Sequence, residues 1–111
     1  MVENCKDELI AKLKGYRSED LIFTSHAKIQ AVVRGIDLRE VKDNILNPRR
    51  LAFAEKQPAQ REGEEKYDCY FAYSKTQAHR YILTLNKKVI IVTVIKINRR
   101  WQQRFEKHGR F

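Results

Sequence analysis

Three histidines, two cysteines and an excess of arginine and lysine are the side chains of this chain that could do chemistry. The first grouping is His26, Gln30 and Arg34, spaced at steps of four behind Thr24 and Ser25, either of which can cap a helix. A helix start offers unpaired N–H donors and a partial positive charge, so a phosphate can dock there while a neighbouring imidazole exchanges protons. The plainer alternative is a half-buried first-turn histidine that serves the fold. The second grouping is Arg99, Arg100, Arg104 and Lys107, with Arg110 beyond, beside an apolar stripe of Trp101, Phe105 and His108. Such a stripe can track phosphates, and Tyr67, Tyr70 or Tyr73 could stack bases, or the run is simply a solvated helix face. The third is His79, Arg80 and Thr93: on a strand His79 and Arg80 point to opposite faces, so only one of them can serve a given site.

The elements that must position these groups fit one α+β domain over residues 1–111, because 111 residues make one folding unit. Residues 4–14 read as a peripheral amphipathic helix opened by Asn4 and closed by Gly15, ahead of a core over residues 21–108. Leu21-Ile22-Phe23 is a short strand. A helix then runs to Gly35 with Ile29, Val32, Val33 and Ile36 at the spacing of a buried stripe. Asp37 and Glu40 form a capping box for a third helix whose Leu38, Val41 and Ile45 face one way before Asn47-Pro48 stops it. Strand-like periods follow over Leu51 to Ala54, Tyr67 to Tyr73, His79 to Leu85 and Val89 to Ile97, with a charged loop over residues 55–66 and a tight turn at Asn86-Lys87. Val89 to Ile95 is apolar on both faces and reads as the central strand. The expectation is a four-stranded antiparallel sheet, plus the short N-terminal strand, with helices packed on it and a last helix carrying Trp101 and Phe105 against the sheet.

Composition narrows the function classes. Lys and Arg number 23 against 14 Asp and Glu, a net charge of +9, and residues 96–111 alone hold six basic groups and one acid. That balance points to a nucleic-acid partner. Cys5 and Cys69 form neither a C-x-x-C pair nor a metal-spaced cluster, which fits a reducing, cytoplasmic location and no metal. No apolar run approaches the roughly 20 residues that span a bilayer, and the N-terminus carries early acids and no signal-type apolar core, so neither a membrane nor secretion is expected. A Gly-rich phosphate loop, H-E-x-x-H and G-x-S-x-G are all absent, and no cofactor is indicated.

The segment TSHAKIQAVVRGIDLREVKDNILNP together with IIVTVIKINRRW resembles a family of small microbial domains typed by T-x-H-A, R-G-I, N-P and V-T-V, a branch of the RelE/BrnT-like toxin superfamily. The resemblance covers residues 21–104 and implies a RelE-like fold, RNA as target, a cognate antitoxin as partner and, where active, metal-independent ribonuclease chemistry. It places His26, Arg34, Arg99 and Arg100 at the family's positions, and the mechanism of metal-independent cleavage then takes His26 as acid or base and Arg34, Arg80, Arg99 and Arg100 as stabilisers of charge on the phosphorus. Gln30 stands where many relatives carry arginine, and the helix before Leu21 is an addition to the family's minimal pattern. A non-catalytic nucleic-acid-binding or protein-interaction module is the alternative.

Overall fold

The computed structural model of the chain describes residues 3–99. The expected C-terminal helix, with Trp101, Phe105 and the basic residues Arg100, Arg104 and Lys107, lies outside the described residues. Three helices, α1 (Lys6–Leu13), α2 (Ser25–Arg34) and α3 (Leu38–Leu46), accompany five strands: β1 (Leu21–Phe23), β2 (Leu51–Gln57), β3 (Glu65–Ala72), β4 (Ala78–Leu85) and β5 (Val89–Ile97). The fold is α+β.

The sheet order is β1-β5-β4-β3-β2. β2 to β5 form the expected antiparallel meander, but β1 joins it parallel to β5, pairing Leu21 with Val89 and Phe23 with Ile91, so the sheet is five-stranded and mixed. β4, not β5, is the middle strand. The two-faced apolarity of β5 has a local cause. Ile82 pairs with Thr93 and Leu83 with Ile91, leaving Val92 as an extra residue, a bulge that moves the core-facing positions from Val89 and Ile91 to Val94.

The helices cover one face. There Leu51, Ala54, Tyr67, Cys69, Phe71, Tyr81, Leu83, Leu85, Val89, Ile91 and Val94 pack with Leu9 and Leu13 of α1, Ala27 and Ala31 of α2 and Val41 and Ile45 of α3. Leu9 and Leu13 are fully buried, so α1 belongs to the core rather than to the periphery. Asn4 holds it there: its side chain accepts from the N–H groups of both Lys6 and Ala54 at 3.1 Å. On the opposite face Phe53, Tyr70, Ala78 and Ile97 form a second buried cluster.

Most of the stripe expected on α2 is turned outward, and of its four members Ile36, just past the helix end, is buried. Ile29, Val32 and Val33 are 63%, 83% and 75% exposed, and the small residues Ala27 and Ala31 face the sheet instead. Two polar anchors set this rotation. β1 covers only the first third of β5, and beyond it Thr24 Oγ1 donates to the Val92 carbonyl at 3.3 Å while the Val94 N–H donates to Gln30 Oε1 at 3.0 Å. Satisfying the open edge of β5 leaves the large aliphatics outside, because an unmade backbone bond at a partly buried edge costs about 1–3 kcal/mol. Gly35 then ends α2 at φ 66°, a left-handed position that suits glycine.

Candidate functional site

β2 begins, β3 ends, β4 begins and β5 ends at one end of the sheet, and a helix-facing row there runs Leu51, Phe71, His79, Lys96 across four strands. The α2–α3 junction sits above this row. Between them lies a cleft of about 200 Å³ lined by Gly35, Glu40, Tyr73, Gln77, His79, Lys96 and Asn98, among others.

A chain of hydrogen bonds forms the inner wall. Asn44, buried on α3, donates from Nδ2 to the hydroxyls of Tyr73 and Tyr81, each at 2.9 Å. The Tyr73 hydroxyl donates to Glu40 Oε2 at 2.6 Å, and the Tyr81 hydroxyl lies 2.6 Å from His79 Nδ1. Glu40 fixes the direction of every bond: an ionised carboxylate only accepts, so Tyr73 must donate to it and can only accept from Asn44. The amide therefore presents its NH₂, Tyr81 also accepts from it, and the Tyr81 proton goes to His79 Nδ1. His79 is held as the tautomer protonated at Nε2. A second proton on Nδ1 would leave the Tyr81 hydroxyl hydrogen without an acceptor. Burial works the same way, pushing the His79 pKa down, with Glu40 opposing and Lys96 assisting. Burial also raises the Tyr81 and Tyr73 hydroxyls, so both stay protonated.

The capping box expected at α3 is half made. Asp37 Oδ1 accepts from the Arg39 N–H at 2.9 Å, but Glu40 turns to Tyr73 rather than back to the helix start. Arg50 covers the Tyr73 ring with its guanidinium carbon 4.4 Å from the centroid, a cation–π contact that fixes the rim of the cleft.

The residues singled out from the sequence do not converge. His26 and Arg34 lie on exposed positions at opposite ends of α2, eight residues or about 12 Å apart along the axis. Gln30, between them, is spent on the β5 backbone. Arg34 precedes Gly35 at the cleft, and Arg99 follows Asn98 there. Arg80 points to the opposite face, where it bonds Asp68 at 2.8 and 2.5 Å and lies over the Tyr70 ring. Of the pair His79 and Arg80, the histidine faces the cleft. Tyr67 and Tyr70 are buried and are not available to stack bases. Asn44 had a legible signal, a polar residue one turn from Val41 on an otherwise apolar stripe; Tyr73, read from the sequence as a base-stacking aromatic, instead bonds Glu40 with its ring covered by Arg50, and Lys96 had no signal beyond its place in the basic C-terminal run.

Ion pairs gather at one end of the sheet. At the end away from the cleft, Lys12 pairs with Glu65 and Glu8, Lys56 with Glu65 at 2.7 Å, and Lys88 with Asp20 at 2.9 Å. Lys12 holds the Glu65 carboxyl below its ordinary range, and the Tyr67 hydroxyl does so for Glu8. At the cleft end Arg49, Arg50, Lys75, Lys96 and Arg99 are exposed and form no ion pair among the described residues. No group of three or more His, Cys, Asp or Glu among the described residues could hold a metal ion, and no described helix is long and apolar enough to cross a membrane. Comparisons with protein families, with curated proteins and with solved structures find no match.

Proposed function

We propose that the chain is an RNA-binding domain of the RelE/BrnT-like toxin type that takes the phosphate backbone at the cleft end of its sheet. The observation that supports this most is a cluster of exposed cations: Arg49, Arg50, Lys75 and Arg99, with Lys96 in the cleft, form no ion pair among the described residues and gather at one end of the sheet, whereas Lys12, Lys56 and Lys88 at the other end are held by acids. Unpaired cations around a concave end suit a polyanion that bends across it. The arrangement supports binding ahead of cleavage. The exposed imidazole of His26 stands two helical turns from Arg34, and Arg80 is occupied by Asp68 on the far face.

The test is fluorescence anisotropy of a labelled single-stranded RNA of mixed sequence across a salt series. Four phosphate contacts, from Arg49, Arg50, Lys75 and Arg99, give a slope of about −2.8 in log K against log salt, from roughly −0.7 per contact on a single strand. Neutralising Arg49, Arg50 and Lys75 together should flatten the slope by about 2, whereas neutralising Lys12 and Lys88 should leave it nearly unchanged. Binding that ignores salt, or that responds equally to both sets, overturns the reading.

A further inference from the structure

The cleft itself is poorly suited to phosphate, because Glu40 stands in its wall. Glu40 on the helical side and Lys96 on the sheet side both act electrostatically on His79, yet they form no ion pair with each other, nor with any other charged side chain among the described residues. Two opposite charges face one small space and leave it open. What fits between them must offer N–H donors to a carboxylate on one side and lone pairs to an ammonium on the other. At about 200 Å³ the space is below the roughly 300–1,000 Å³ of drug-sized sites, which suits a single ring system.

We propose that this cleft takes one guanine base of an unpaired RNA strand, with Glu40 reading N1–H and the 2-amino group and Lys96 reading O6 or N7. The inference rests on the RNA-binding reading for the identity of the strand. Guanine is the base whose donor pair matches a carboxylate with two parallel bonds while its opposite edge carries only acceptors. Glu40 keeps lone pairs for this: only Oε2 is engaged, by Tyr73. Adenine and cytosine bring a single amino group, and uracil turns carbonyls toward the carboxylate. His79, protonated at Nε2, adds a neutral donor in the wall and accepts nothing from the base at that nitrogen. Splayed bases read on their edges are the usual route to sequence preference in single-stranded RNA.

Titration calorimetry with the five 5′-monophosphates of guanosine, inosine, adenosine, cytidine and uridine separates base from phosphate, since all carry the same phosphate. Guanosine monophosphate should bind about tenfold tighter than the others, and inosine monophosphate, which lacks the 2-amino group, should lose most of that margin. Glu40→Gln should remove the preference, and Lys96→Met should weaken guanosine and inosine monophosphate alike; circular dichroism of each variant checks that it is folded. Equal binding of all five, no binding of any, or a guanine preference that survives both substitutions overturns the proposal. Steeply salt-dependent RNA binding without base preference overturns this inference alone. A guanine preference without salt-dependent RNA binding overturns the RNA reading and leaves the base site standing.

Discussion

Arg80 grips Asp68 through two hydrogen bonds, 2.8 and 2.5 Å long, on the sheet face opposite His79. Both acceptor oxygens are used, and Asp68 is almost wholly buried. Removing the guanidinium leaves a buried carboxylate uncompensated, which costs about 3 kcal/mol. Arg80→Ala should therefore lower the urea midpoint clearly while the RNA affinity of the folded fraction stays within a factor of two or so of wild type. An unchanged midpoint with lost RNA binding would return Arg80 to the functional site.

The Asn44 relay makes a spectroscopic prediction. Nitrogen NMR of the His79 ring should show Nε2 protonated and Nδ1 bare at neutral pH, as the bond order from Glu40 through Tyr73, Asn44 and Tyr81 requires. Asn44→Leu should relax that tautomer and cost about 1–3 kcal/mol for the tyrosine hydroxyls it leaves short of a donor. A ring protonated at Nδ1 in the wild type refutes the relay.

Acid should act through the same ring. The folded-state pKa of His79 lies below the unfolded value, so the unfolded chain binds the extra proton first. Its stabilising contribution is complete above about pH 6.5, the ordinary histidine value, and is lost as pH falls through the folded pKa. The melting temperature of wild type should thus drop between pH 7 and 5 by more than that of His79→Gln. Parallel pH profiles for the two proteins would mean the ring titrates freely in the folded state.

On α2 the outward stripe can be tested by contrast. Val32→Ser removes an aliphatic that is already in water and should change stability by no more than about 0.5 kcal/mol. Ala31→Leu forces a larger side chain against the sheet and should cost about 1–3 kcal/mol. The reverse order of effects would mean that α2 packs through its valines.

Much of this architecture was readable from residue order. Gly35, Asp37 and Asn47-Pro48 mark helix ends that the structure keeps, and the period-2 runs after Leu51 give the four antiparallel strands. What could not be read depended on contacts distant in sequence. The parallel place of β1 is set by pairing with a strand 68 residues on, and α2 is rotated by Thr24 and Gln30 meeting the β5 edge, 68 and 64 residues away. Hydrophobic spacing measures amphipathicity but not which neighbour has backbone groups to satisfy. The site shows the same division: His79 was visible as one of two alternatives on a strand, while Glu40 on α3, Tyr73 in the turn after β3 and Lys96 on β5 reach it only because the fold brings them together.

The exposed cations around the cleft give that end of the described residues a locally positive potential. Within roughly a Debye length, about 8 Å at physiological salt, a polyanion is drawn to this rim ahead of any specific bond. Reversing the paired acids Glu8, Glu65 and Asp20 would free Lys12, Lys56 and Lys88 at the far end and divide encounters between two ends, only one of which holds the cleft.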